Sequence, residues 1–498
     1  MIVKGKRSVG GYRFKNFEGE FGRGITEIPH PDEVIIPLMQ GYGNEVPPLV
    51  KRDEHVSAGQ IIGRDDDTVS TPVHSSINGK VTGFKKIRYT DNDINAVVIK
   101  SDGTSDKTAA HKESDWTTLS NEEIEKRLYT SGVTALGRSG IPTRYRSSVI
   151  ETSDVEHIII HGIDDGVYRT STSMLLEDGS MKKLIEGIKI LNRIMPKAGI
   201  HVTVDKSIMN VATQMDAALQ DASWFNLYPM EARYPQGLDE VIIPILLKRE
   251  YPYGYIPAHI GISTLNVRDI QFIYEAVVQN KPLIECLIAL CGPGFENNQW
   301  VRVRVGTSLQ VIEESVKANK SVRLITGTLL TGVPLTDMSL PVERSWGSIA
   351  AIPEETGSGF FSFAAPGFKK DSYTRTFASS FLNFKKTVDT NLHGEERSCI
   401  FCGYCEDVCP VGIIPHLIYR NVERGKIEDF LVSYKIFNCI GCNLCTYVCP
   451  SKIRVSSYIS EGKRKLKDIG FDESTVILPN FKLKGLAAIE VTDKGASK

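Results

Sequence analysis

The chain has 498 residues, 41% of them hydrophobic and 24% charged, with a formal net charge of −1. That length predicts two to four domains, and a charge near zero, with no block of like charge, speaks against a nucleic-acid partner. Apolar runs such as VIIPILL at 241–247 are too short to span a bilayer, and the opening MIVKGKRSVGG has no apolar core of a secretory signal. The expectation is a cytosolic protein that can still dock on membrane partners.

In chain order, VPPLVKRDEHVSAGQIIG (46–63) ends in a turn-rich stretch, and TPVHSSINGKVTGF (71–84) sets Asn78-Gly79 between apolar runs as a tight hairpin turn. The pair resembles the half-motifs of biotinyl- and lipoyl-type barrel-sandwich modules. Lys80 is where a carrier domain would hold its group; a plain β scaffold is the preferred reading, with His74 structural. Residues 120–295 alternate: HIIIHGI (157–163) a strand, MKKLIEGIKILNRIM (181–195) a helix, and HVTVD (201–205) a strand. LDEVIIPILLK (238–248) is helical as far as Pro244, VRDIQFIYEAVVQ (267–279) is a helix, and LIECLIALC (283–291) is a strand. Such alternation predicts α/β layers. Cys286 and Cys291 in the last run read as buried free thiols. QWVRVRVGTSLQVIEESV and SVRLITGTLLTGVPL read as short strands around one helix.

Ten cysteines occur, and eight lie in two runs, CIFCGYCEDVCP (399–410) and CIGCNLCTYVCP (439–450). Each has the form C-x2-C-x2-C-x3-C-P, the bacterial ferredoxin spacing for [4Fe–4S] clusters. Three thiolates on one short loop suit three corners of a cube, and Gly403 and Gly441 allow the turns. In two-cluster ferredoxins the fourth cysteine serves the other cube. The expected sets are therefore Cys399, Cys402, Cys405 with Cys449, and Cys439, Cys442, Cys445 with Cys409. The competing reading, two zinc sites, fits poorly, because zinc favours paired C-x2-C units. The spacer between the runs carries apolar residues at helical spacing from Ile414 to Tyr434 and predicts one or two helices, with a further short helix after the second run.

The order of these pieces resembles the C subunit of Rnf complexes, ion-pumping ferredoxin–NAD oxidoreductases, and is similar to the A subunit of the sodium-pumping NADH:quinone reductase, the Nqr complex. Collinear stretches carry the resemblance: GQIIG (59–63), TPVHSSINGKV (71–81), RYPQG (233–237), IPAHIGISTLNV (256–267), NKPLIE (280–285), VRVGTS (303–308), TGTLLTGVPL (326–335) and the cysteine runs. It implies an α/β multidomain chain. A barrel-sandwich region (1–115) precedes an α/β domain like the flavin-binding subunit of respiratory complex I (116–295). A β-grasp-like module (296–364), a linker (365–394), a helical di-[4Fe–4S] ferredoxin module (395–470) and a tail (471–498) follow. It also implies integral-membrane and peripheral partner subunits, a peripheral place on the cytoplasmic face of the cell membrane, and FMN with NAD(H) beside two clusters.

For the flavin end, the resemblance points to Gly132, Gly137, Arg138 and Gly140 in GVTALGRSGIPT (132–143), to Asp164 and Tyr168 in HGIDDGVY (161–168), and to Asn266 in NVRD (266–269). Here Arg138 replaces a family glycine, Gly166 stands where the family has an acid, and Arg268 replaces a small residue. These departures lead to the expectation that the flavin pocket is lost and the chain is an electron relay with no catalytic residue of its own. The alternatives left open are an FMN-containing, NADH-oxidising subunit of the same complex type and a soluble iron–sulfur adaptor unconnected with ion pumping.

Overall fold

The computed structural model describes residues 10–471 apart from 16, 18, 20–23, 41–43, 66–69, 90–91, 105–112, 134–154, 169–178, 314, 318–320, 355–387, 392–394 and 428. Three sheet systems and one helical module build the chain. The N-terminal region holds β1 (Ile25–Glu27), which joins the third system, and then β2 (Glu33–Pro37), β3 (His55–Val56), β4 (Ile61–Gly63), β5 (Val73–His74), β6 (Gly79–Tyr89) and β7 (Asn92–Ser101), which build the first. Strands β2, β7, β6 and β3 form one antiparallel sheet in that order, and β4 pairs with β5 in a second. Val34, Ile36, Ile62, Ile77, Val81, Val97 and Ile99 fill the space between them.

The expected hairpin at Asn78-Gly79 is not formed. β5 pairs with β4, whereas β6 pairs with β3 and β7. Gly79 is required for close approach instead, since a Cβ there would lie 2.1 Å from the Lys100 carbonyl oxygen. Asn78 accepts the Ala58 amide at 2.8 Å. Lys80 sits within β6 with its ammonium 2.8 Å from Asp53, so it is not a hairpin-tip lysine.

The α/β domain follows: α1 (Asn121–Thr130), β8 (His157–Gly162), α2 (Ser180–Ile194), β9 (Gly199–Asp205), α3 (Met209–Leu219), β10 (Phe225–Met230), α4 (Asp239–Leu247), β11 (Ile262–Asn266) and α5 (Val267–Val278). Its sheet is parallel, in the order β10-β9-β8-β11. α2 lies on α5 with Gly187 at the contact, where a Cβ would meet Ile270 at 2.5 Å. α4 runs through Pro244 to Leu247 and does not stop at the proline. The missing amide costs one bond in a nine-residue helix whose Val241, Ile242, Ile243 and Leu246 are buried.

β12 (Glu285–Cys291), β13 (Gln299–Arg304), the one-turn α6 (Gln310–Glu313), β14 (Val322–Thr326), β15 (Val333–Leu335) and β16 (Ser348–Pro353) complete the third system. The sheet order is β1-β13-β12-β16-β14-β15. Two strands thus sit outside the expected segments. β12 bonds to β13 and β16 rather than to the parallel sheet, and β1 extends this sheet from the N-terminal region. Buried arginines lock the seams. Arg344 donates to the carbonyls of Pro72, Gly132 and Gln40. Arg268 donates to those of Trp346 and Ser345.

The cluster module holds α7 (Tyr404–Asp407), α8 (Pro415–Glu423), α9 (Asp429–Ser433), α10 (Leu444–Tyr447) and α11 (Val455–Asp468). The spacer therefore forms two helices, and the helix after the second run is 14 residues long rather than short. Ile418, Val422, Ile436, Ile459 and Leu466 form its core. Gly462 lets α11 close on Val422, which a Cβ would meet at 2.7 Å.

Candidate cluster and flavin sites

The two cysteine runs repeat one backbone at an offset of 40 residues. Positive φ recurs at Phe401 (56°) and Gly441 (66°), at Gly403 (77°) and Asn443 (62°), and at Gly412 (64°) and Lys452 (57°). Each pair has glycine on one side only. The geometry is thus set by the thiol loop itself, and side chains there tolerate a conformation that ordinarily costs L-residues about 1–2 kcal/mol. α7 and α10 each follow the second positive-φ residue and carry the third cysteine of the run, Cys405 and Cys445.

The thiols gather in two sets, each with three members from one run and the fourth from the other. Cys405 has Cys402, Cys449 and Cys399 as electrostatic neighbours, and Cys449 has Cys402 and Cys399. Cys442 has Cys439 and Cys409, and Cys445 has Cys442 and Cys439 before Cys405 and Cys409. The exchange has a backbone cause on the first side. Arg397 N donates to the Ser451 carbonyl and Ser451 Oγ donates to that of Ser398, pulling the end of the second run against the start of the first. Cys399, Cys402, Cys405 and Cys449 line one small cavity with His416 and Tyr419.

The donor set suits a multi-iron group. Its first four thiols surround a small space and do not converge on a point. Burial, with neighbouring thiolates adding, pushes Cys405 and Cys442 up to about 12 and raises Cys445 as well. Bound iron supplies the positive charge that holds such thiols deprotonated. His416, which no motif marked, places Nδ1 3.9 Å from the Cys405 sulfur. Contacts of that kind tune cluster potentials. Cys286 and Cys291 are buried and take no part in either set; burial raises both.

The flavin candidates do not come together as a group. Gly137, Arg138 and Gly140 lie outside the described residues. Gly132 has a φ of 71° and is packed so closely that a Cβ would sit 3.0 Å from Arg344 Nη1 and from His74 Cε1. Tyr168 is buried with Phe17, Cys291 and Trp300. Asn266 caps α5, accepting the Asp269 amide at 3.1 Å. Arg268 turns its guanidinium into the seam already described, so its bulk is accounted for by packing.

Residues around the C-terminal end of β8, the place where open parallel sheets bind ligands, make closer contacts with the middle of β11 and the start of α4. Asp165 accepts the Gly237 amide at 2.7 Å. Asp239, at the start of α4, accepts the Thr264 hydroxyl at 3.1 Å and lies 3.6 Å from His161 Nε2. Asp164, half-buried, neighbours Cys291 instead. Only HGIDDGVY flagged this place in the sequence; Asp239 and Thr264 arrive from remote segments.

Comparison with known proteins gives three matches in chain order. Residues 18–104 match the RnfC barrel sandwich hybrid domain, 128–275 the Nuo51 FMN-binding domain, and 398–453 a 4Fe-4S dicluster domain. The chain is 25% identical over 401 residues to the C subunit of the Na(+)-translocating ferredoxin:NAD(+) oxidoreductase complex of Acetobacterium woodii, covering 79% of this chain and 82% of that one. It is 24% identical over 446 residues to the C subunit of the proton-translocating ferredoxin:NAD(+) oxidoreductase complex of Clostridium ljungdahlii, covering 87% and 88%. It is 26% identical over 414 residues to the C subunit of the ion-translocating oxidoreductase complex of Haemophilus influenzae, covering 82% of this chain but only 58% of that longer one. The FMN-binding match supports a flavin beside the clusters, against the expectation drawn from Arg138, Gly166 and Arg268. Three collinear matches and relatives of one kind support the RnfC family for this chain, and none of them supports the A subunit of Nqr-type reductases.

Proposed function

We propose that this chain is the peripheral electron-transfer subunit of an Rnf-type ion-translocating oxidoreductase, relaying electrons through two [4Fe–4S] clusters on the cytoplasmic face of the membrane. The observation that carries this reading is the crossed grouping of eight thiols. Cys399, Cys402, Cys405 and Cys449 hold one cluster, and Cys439, Cys442, Cys445 and Cys409 hold the other. A bound cluster supplies one-electron chemistry. The chain supplies spacing, burial and the His416 contact. Among the described residues no helix is long and apolar enough to cross a membrane, so integral-membrane partners anchor the assembly. Of the two ferredoxin:NAD(+) relatives, one is Na(+)-translocating and the other proton-translocating.

Anaerobic purification with iron analysis and EPR tests the relay. About eight irons per chain and two reducible cluster signals are expected; a single zinc per thiol set overturns it. A second reading, an FMN-containing NADH-oxidising subunit, draws on the FMN-binding match and on Asp165 and Asp239 near the C-terminal end of β8. Bound FMN together with bleaching of the clusters by NADH selects that reading. Clusters reducible by dithionite but not by NADH select the plain relay.

A further inference from the structure

The crossed grouping sorts the positive-φ positions of the repeat by thiol set. Phe401 lies between Cys399 and Cys402, and Lys452 follows Cys449, so both border the first set. Their counterparts Gly441 and Gly412 border the second. Positive φ disfavours any side chain, and the second set shows that the loops close with glycine at both places. The third pair shows what a side chain can gain in such a position. Asn443 donates to the Leu330 carbonyl and ties the second run to the rest of the chain.

Phe401 gains less. The Arg420 guanidinium carbon lies 4.6 Å from its ring centre, and the His416 ring meets it edge-on at 5.9 Å. The residue is still exposed, as are its neighbours Ile400 and Cys402. Folding gains little from an apolar ring held in a disfavoured backbone and left in water, whereas aromatic rings and arginines are the usual anchors of protein contacts. Cations stand on the other side of the same thiol set. The Arg397 amide bonds to the Ser451 carbonyl, which brings this residue beside Lys452. Burial and the Arg397 charge both lower the Lys452 pKa, so the two cations repel. The acids Glu396 and Glu406 are turned to other groups, 3.9 Å from Arg454 and 3.8 Å from His416.

Resting on the relay reading above, we propose that Ile400, Phe401 and Arg420, with Arg397 and Lys452, form the docking face for a separate one-electron carrier protein whose redox group lies near an apolar surface rimmed by acids. The partner's apolar surface covers Ile400 and Phe401, and its acids relieve the repulsion between Arg397 and Lys452. The contact brings the first thiol set, through its exposed Cys402, against the partner's group. One electron passes between them, one side oxidised by what the other gains, and no bond is made or broken. Complementary charge speeds such encounters and makes them salt-dependent.

The test mixes the anaerobic, cluster-loaded full chain with a small acidic ferredoxin, reduced beforehand, and follows electron transfer by stopped-flow absorbance at rising salt. A rate that falls with salt is expected. Phe401→Gly, which restores the glycine of the second run, should slow transfer about tenfold. Its melting temperature should not fall, and dithionite should still develop both cluster EPR signals. Lys452→Gly should flatten the salt dependence. No transfer to the wild type, or transfer to Phe401→Gly at the wild-type rate, overturns the proposal. So does a lower melting temperature in Phe401→Gly, since the ring then serves the fold. Two other occupants are read on the same variant. Wild-type binding to phosphatidylglycerol vesicles, lost in Phe401→Gly with ferredoxin transfer unchanged, makes the face a membrane contact and overturns the proposal. A wild-type dimer in sedimentation, lost in the same way, makes it a contact between copies and does the same. Absence of cluster signals in the wild type sinks the relay reading instead, and calorimetric titration of that sample with oxidised ferredoxin still decides the docking face.

Discussion

The two cysteine runs share a backbone and differ in what they face. On the first, Ile400 is 66% and Phe401 53% exposed, and Cys402 is exposed. On the second, the equivalent Cys442 is buried, and its carbonyl accepts the Tyr234 hydroxyl at 2.9 Å. Asn443 donates to the Leu330 carbonyl. An N-terminal strap closes the same side: Gly11 N donates to the Val408 carbonyl, and Tyr12 and Tyr234 exchange backbone bonds at 2.8 Å. Tyr12, Phe14, Tyr234 and Tyr447 pack as one aromatic group there. The repeat thus makes two like cluster sites and the rest of the chain makes them unlike. One is turned inward to the α/β domain and the other outward.

The largest effect expected comes from exchanging the fourth cysteines. Cys409→Ser should abolish the inner cluster and spare the outer, and Cys449→Ser should do the reverse. EPR of each dithionite-reduced variant reads this directly. Loss of only the first-run cluster in Cys409→Ser would falsify the crossed assignment.

Next comes the inward contact. Tyr234 is 1% exposed, and Tyr234→Ala removes a buried ring and the hydrogen bond to the Cys442 carbonyl. A loss of about 3–5 kcal/mol is expected, measured by denaturant melts, with the inner cluster released before the outer. Simultaneous release of both would mean that the strap does not distinguish them.

How much of this asymmetry could be read from sequence depends on how far apart the partners are. The thiol spacing was legible because each loop is local, and so was the strand–helix alternation of β8 to α5. The strap was not, because GYRFKNFEG has neither a helical nor an alternating pattern, and its aromatics acquire meaning only against Tyr234 and Tyr447. β12 was recognised as a strand, but its sheet was not, since strand partners are chosen by remote pairing. Arg268 looked like an obstruction at a flavin site until its bonds to the Ser345 and Trp346 carbonyls were seen. A seam between modules has no motif.

A seam remote from the clusters offers a control of intermediate size. His74 is buried, bonded through Nε2 to the Thr130 carbonyl at 2.8 Å. Its pKa falls to about 4, chiefly by burial, with Arg344 adding. The unfolded chain therefore takes up the proton first. Stability contributed by neutral His74 is present above pH 6.5 and is lost as pH falls toward 4, by about 3 kcal/mol in all. Below that the folded state is protonated too and this group adds no further slope. Melts of wild type and His74→Gln across that window should differ in slope, and cluster spectra should not differ. Equal slopes would remove His74 as the titrating group.

The smallest effect tests the outward face. Ile400→Ser replaces a residue that is 66% exposed and should change stability by no more than about 0.5 kcal/mol. Its counterpart Ile440 is half-buried against the aromatic group of the strap, so Ile440→Ser should cost more, about 1–2 kcal/mol. The two substitutions are chemically identical and occupy the same position of the repeat, so their difference isolates what the surroundings add. Equal costs would mean that the outer loop is covered as the inner one is, and the inward–outward difference between the two runs would fall.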